Sequence, residues 1–277
     1  GTDHQQKTLA MQRPSTHDAA MEPTITDTIL IAAIAFLAAL AQGATGFGFA
    51  IIALPFLLLV MGSLDAVGLT IILNLLVSLI LVPGLWRQAP RGPLSRLALG
   101  SVLGFPIGLV IFLHASLDWV RLAVGLVILF FAAWLTISQR RADAVQHISG
   151  NGSAARRGAE VAVGTLSGAM ATALAMPGPS VMLYLSAGGM AKTPLRACTL
   201  CLFTLSYGAA LILQVAFGAI GSQIWQAAAL AVLPTILGAI AGHRLSGRLH
   251  ENLFRTLVLA ILLATGAYTT LLAILAW

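Results

Sequence analysis

Two stretches of this chain combine residues that could hold a small anion with no buried acid or base. The first is Gly43-Ala44-Thr45-Gly46-Phe47-Gly48, followed by Pro55. The second runs from Gly168 through Thr172 to Pro177-Gly178-Pro179-Ser180. Glycine lets backbone N–H groups approach a ligand closely. Proline favours the first turn of a helix, where its missing N–H costs little. A helix restarting after such a break aims free N–H groups and the positive end of its dipole at the break, which suits an anion. Pro177-Gly178-Pro179 predicts a helix restarting at about Pro179 with the Ser180 hydroxyl at the break, while Pro55 lies deeper in its segment and predicts a kink. The candidate substrate-binding residues are thus Gly43, Thr45, Gly46, Gly48 and Pro55 on one wall and Gly168, Thr172, Pro177, Gly178, Pro179 and Ser180 on the other. Asn74 joins them as a deep uncharged donor; Ser78, Thr204, Ser206, Tyr207 and Gln214 are the other deep polar residues, read individually as interhelical hydrogen bonds.

Catalytic chemistry is not written here. There is no His-Glu-x-x-His, no Gly-x-Ser-x-Gly and no paired-carboxylate motif. The glycine run lacks the strand and the ribose-binding acid of a dinucleotide loop. Asp65, Asp118, Glu160 and Glu251 all fall near the ends of apolar segments, so no intramembrane carboxylate marks a proton relay. His114 and His243 end segments and read as interfacial. Cys198 and Cys201 sit in an apolar segment, without the context of a redox Cys-x-x-Cys, and read as small buried residues. The expectation is a protein that is not an enzyme and needs no metal or cofactor.

The elements that must position these residues follow from composition. Of 277 residues, 58% are hydrophobic and 9% charged, with a mean hydropathy of +0.94. Soluble domains carry about 25% charged residues, so this chain is an integral membrane protein with the bilayer as its solvent. About ten apolar segments can be marked: 27–41, 48–61, 65–86, 93–114, 118–137, 158–176, 179–189, 193–217, 222–245 and 253–277. A spanning helix needs about 20 residues. The first, second and seventh segments are shorter and predict half-helices or re-entrant hairpins, which are tolerable only inside protein or beside a cavity.

The formal charge of +6 does not indicate nucleic acid, because no basic stripe carries interleaved aromatics. Basic residues instead cluster in alternate gaps: Arg87, Arg91 and Arg96; Arg140, Arg141, Arg156 and Arg157; Lys192 and Arg196; Arg244, Arg248 and Arg255. That side becomes the cytoplasm, and ten crossings put both termini outside.

The chain also reads as duplicated. Gly104, Gly108 and Arg121 share their spacing with Gly238, Gly242 and Arg255, and the two Gly-to-Pro stretches correspond. Matched gaps carry swapped charge: Arg87, Arg91 and Arg96 answer the uncharged 218–223 gap, and the Asp65 gap answers that of Lys192 and Arg196. Swapped charge between homologous halves predicts inverted topology. The fold class expected is all-α, about ten segments in two inverted five-segment repeats with broken or re-entrant helices. Residues 1–26 form a polar, disordered tail, 27–137 repeat 1, 138–157 a basic cytoplasmic linker and 158–277 repeat 2. The Gly100, Gly104, Gly108 ladder and its echo at Gly238 and Gly242 read as packing seams. Facing halves would bring both breaks to the midplane as one pocket.

Gln42 to Pro55, the stretch ending Met176-Pro177-Gly178-Pro179, and Leu103-Gly104-Phe105-Pro106-Ile107-Gly108 with its echo Leu237-Gly238-Ala239-Ile240-Ala241-Gly242 resemble the TauE/SafE family of sulfite-exporter-type permeases. The resemblance extends from about Ile29 to Trp277. It implies a multi-pass secondary transporter of the cytoplasmic (inner) membrane, moving sulfite, sulfonates or related organic anions by alternating access. Its partners would be a small anionic substrate and the lipid bilayer, with room for a coupling ion and a homo-oligomer. Two alternatives stay open: a duplicated ten-helix drug/metabolite exporter of neutral or cationic solutes, and a membrane enzyme or assembly factor.

Overall fold

The computed structural model describes residues 25–141, 154–246, 266–268 and 270–271. The tail, most of the basic linker and most of the tenth segment lie outside the described residues. Nine α-helices are present among the described residues: α1 (Ile25–Thr45), α2 (Phe49–Met61), α3 (Asp65–Leu81), α4 (Arg91–His114), α5 (Leu117–Arg141), α6 (Ala154–Leu174), α7 (Gly178–Ala187), α8 (Lys192–Ala216) and α9 (Ser222–Leu245). Two 3-10 turns, Val82–Gly84 and Trp86–Gln88, join α3 to α4.

Among the described residues, six helical stretches are long and apolar enough to cross a membrane: Ile25–Thr45, Asp65–Gly84, Arg91–His114, Leu117–Trp134, Lys192–Ala216 and Ser222–Leu245. The expectation of a short first segment is therefore corrected, because α1 extends to 21 residues. Its helix continues through Gln42, Gly43 and Ala44 to Thr45, whose hydroxyl lies 2.8 Å from the Ala41 carbonyl oxygen. The second and seventh segments do form short helices, of 13 and 10 residues.

The distribution of polarity is that of a protein in lipid. Leu99, Phe130, Ile212 and Leu233 are exposed, whereas Gln42, Asn74, Ser78, Thr172, Ser206 and Gln214 are buried. Apolar groups outward and polar groups inward is what a hydrocarbon surround favours, since a polar group left in it unpaired costs several kcal/mol.

Two helix pairs dominate the packing, α4 with α6 and α9 with α1. Both are glycine seams. A Cβ on Gly100, Gly104 or Gly108 would collide with the carbonyl oxygens of Val161, Thr165 and Ala169 in turn. In return, one on Gly164 or Gly168 would strike Leu97 and Ser101. Gly238 and Gly242 sit in the same way against Phe36 and Leu40. The register rises together along both partners, so each pair is parallel. Without a hydrophobic driving force between helices in lipid, backbone approach of this kind supplies the association energy. Helices α3 and α8 meet between the pairs.

Candidate functional site

The chain breaks twice inside the bundle. The first break, residues 46–48, separates α1 from α2; the second, residues 175–177, separates α6 from α7. Each opens with a left-handed residue, Gly46 at φ +87° and Ala175 at φ +52°. The N–H of each returns to the preceding turn, Gly46 to the Gln42 carbonyl at 2.7 Å and Ala175 to that of Ala171 at 3.1 Å. Gly48, at φ +109°, caps α2, and none of the described residues comes within 4 Å of where a Cβ would stand.

A buried chain of hydrogen bonds joins the breaks. The Phe49 N–H, first in α2, donates to Gln42 Oε1 at 3.1 Å. Gln42 Nε2 donates to Asn74 Oδ1 at 2.7 Å. Asn74 Nδ2 donates to the Tyr207 hydroxyl at 2.6 Å, and that hydroxyl donates to the Ala175 carbonyl at 2.9 Å. Every link points the same way, so the dipoles polarise one another. Gln42, Asn74 and Tyr207 are buried. Four helices contribute: α1, α2, α3 and α8, with the carbonyl of the second break as terminus. Among the described residues the buried hydroxyls of Ser78, Ser180 and Ser206 find no hydrogen-bond partner, nor does Gln214 Oε1. Such groups are rare in packed interiors and mark polar capacity the fold leaves unspent.

Arg196 reaches the first break from α8. Its Nη2 donates to the Gly43 carbonyl at 2.6 Å and lies 3.3 Å from His243 Nδ1. Its methylene stem covers the Gly46 Cα, where any side chain would collide with it. The guanidinium is half-buried, and among the described residues its Nε has no partner and no carboxylate pairs with it.

The residues expected from sequence are distributed as follows. Gly46 and Gly48 form the first break, and Thr45 closes it, its hydroxyl 2.6 Å from the Phe47 carbonyl oxygen. Pro177 lies in the second break; Gly178, Pro179 and Ser180 form the first turn of α7, with the Phe203 ring over Gly178. The Pro177 carbonyl accepts the Ser167 hydroxyl at 2.8 Å. Asn74 lies on the hydrogen-bond chain. Gly43 is helical and packed on Ala239 and Gly242, Gly168 sits in the α4–α6 seam, and Pro55 is buried within α2. The Thr172 hydroxyl turns to the Phe105 carbonyl at 3.0 Å. Sequence reasoning did not single out Gln42; it read Tyr207 as a deep polar residue making an interhelical hydrogen bond, as it does with Asn74, and it assigned Arg196 to topology. A lone glutamine one turn before the Gly46 break was the available signal for the first.

Cys198 is buried and Cys201 partly so, both as free thiols. No group of three His, Cys, Asp or Glu side chains suited to a metal gathers among the described residues.

Full-length apolar helices, two broken ones and a buried polar path between the breaks define a multi-pass helical membrane protein with a polar centre. The family model described as sulfite exporter TauE/SafE matches residues 31–269. The chain belongs to that family, a family of membrane permeases. No curated protein and no solved structure matches it.

Proposed function

We propose that the protein moves a small sulfur-containing or organic anion, of the sulfite or sulfonate type, across the cytoplasmic membrane by alternating access. The observation that carries the anionic cargo is Arg196. A half-buried guanidinium with no carboxylate partner among the described residues is costly to desolvate, and it lies against a helix break beside the dipole-positive start of α2. An anion arriving there supplies the missing countercharge, and oxyanions suit the forked guanidinium geometry. Gly48, open among the described residues where a Cβ would stand, gives backbone access on this side. The first turn of α7 and the Ser180 hydroxyl serve the other.

The halves are read as inverted repeats, residues 27–137 and 158–277. Reciprocal packing supports this: the fourth helix of each half lies along the first helix of the other, with matching glycine seams. The basic ends of α4, α6, α8 and α9 are assigned to the cytoplasm. In this reading, rocking of the halves exchanges the Gln42–Asn74–Tyr207–Ala175 chain for contacts with substrate, exposing the breaks alternately.

The test is thermal stabilisation of the detergent-purified protein by sulfite, sulfate, thiosulfate, taurine, sulfoacetate, acetate and a neutral amino acid. A ligand at 100 times its Kd adds about 2.7 kcal/mol to the folded state. A shift with one or more sulfur anions, lost in Gly178→Leu, is the expected result. A shift with only the neutral solute would replace this reading with that of a neutral-solute exporter.

A further inference from the structure

A second charged site lies away from the breaks, at the N-terminal ends of the parallel helices α4 and α6. Pro93, Arg96, Arg156, Arg157 and Glu160 line a cleft of about 310 Å³, the size of the smaller ligand sites in proteins. Glu160 is completely buried and is bound by Arg96 through Nε and Oε2. Its other oxygen, Oε1, accepts no hydrogen bond from the described residues; Arg156 Nε stands 3.6 Å from it. Two guanidiniums, those of Arg96 and Arg156, thus stand at this carboxylate, and the exposed Arg157 lines the same cleft.

The surroundings restrict what such a cleft takes. Arg96 stands at the head of an exposed apolar stripe on α4, Leu99, Leu103 and Ile107, each more than half exposed. Spacings of three and four residues keep that stripe on one helix face with Arg96. A ligand filling the cleft therefore meets cations at one end and a hydrocarbon-facing surface directly beyond. The dipoles of two parallel N-termini add to the positive field.

We infer that this cleft binds the headgroup of an anionic phospholipid whose phosphate is recognised by Arg96, Arg156 and Arg157, with the buried Glu160 holding Arg96 in place. The acyl chains lie along Leu99 and Leu103. The basic ends of these helices fall in the leaflet where anionic lipids attract arginine. The site needs a bilayer and is independent of any transported substrate.

The experiment uses the full chain, stripped of lipid in detergent and titrated with phosphatidylglycerol, phosphatidylethanolamine, phosphatidylcholine or inorganic phosphate. Bound lipid is counted by native mass spectrometry. The expected result is a preference for phosphatidylglycerol over the two zwitterionic lipids of about tenfold (roughly 1.4 kcal/mol), with no competition from millimolar inorganic phosphate. Arg157→Gln should reduce that preference severalfold while leaving the lipid-free melting temperature unchanged, because Arg157 is exposed. Arg244→Gln, at the exposed end of α9, should retain it. Equal binding of the three lipids overturns the inference, as does undiminished preference in Arg157→Gln. Equal losses in both variants point to bulk charge, and displacement by phosphate to a soluble ligand; either result also overturns it.

Discussion

The Tyr207 hydroxyl bonds to the carbonyl oxygen of Ala175 at 2.9 Å, tying α8 to the one described non-glycine residue with a left-handed backbone. A strained carbonyl held by a buried phenol couples the second helix break to the centre of the bundle. The same hydroxyl accepts from Asn74, which passes the connection to Gln42 and the first break. The two breaks therefore share one hydrogen-bond line.

Tyr207→Phe removes the only oxygen that serves both neighbours. Asn74 Nδ2 and the Ala175 carbonyl are then buried without that partner, at a cost of about 1–3 kcal/mol. The variant should melt measurably below wild type in detergent. Tyr207→Phe combined with Asn74→Ala should cost less than the sum of the two single changes, because both remove the same bond. Additive losses would show that the line is not a coupled unit.

Ala175 occupies φ +52°, a region that costs an L-residue roughly 1–2 kcal/mol. Ala175→Gly should relieve this and leave the protein as stable or more so, despite the added chain entropy. Ala175→Val should destabilise it, since β-branched residues fit that region worst. Melting curves of the two variants check the ordering.

The α4–α6 seam makes a sharper stability test. Gly104→Ala places a methyl group into the Thr165 carbonyl, and backbone cannot move aside as a side chain can. Overpacking of this kind costs about 1–3 kcal/mol. Gly208, within α8, has none of the described residues within 4 Å of its missing Cβ. Gly208→Ala should therefore gain about 0.5–1 kcal/mol from helix propensity. Opposite signs for two Gly-to-Ala changes in neighbouring helices would separate packing from propensity.

Much of this architecture was legible in the sequence because glycine and proline punctuate locally. Gly46, Gly48 and Pro177-Gly178-Pro179 mark the breaks, and the four-residue glycine spacing marks the seams. Gly43 was misleading for the same reason: a glycine required by close packing on Ala239 looks like one required by a turn. Thr45, which bonds back to Ala41, carries the helix two residues past it. The polar line was not legible, since Gln42 and Asn74 are 32 residues apart and Asn74 and Tyr207 are 133 apart. Pairings at that distance are tertiary facts. Arg196 was hidden by its position near the start of a helix, where a cation reads as a topology signal. Its long stem carries the charge inward to Gly43, and no local pattern records that reach. Glu160 was placed correctly near a segment end, yet Arg96 draws it into complete burial.

The central claim is that an anion is bound by Arg196 at the first break. Its most direct test is sulfite uptake into vesicles holding purified protein, comparing wild type with Arg196→Lys and Arg196→Gln. Wild type should give saturable uptake. Lysine keeps the charge but loses the fork, so KM should rise several-fold with maximal rate largely kept. Glutamine should abolish saturable uptake while inserting normally. Saturable sulfite uptake in Arg196→Gln with the wild-type KM would contradict the account.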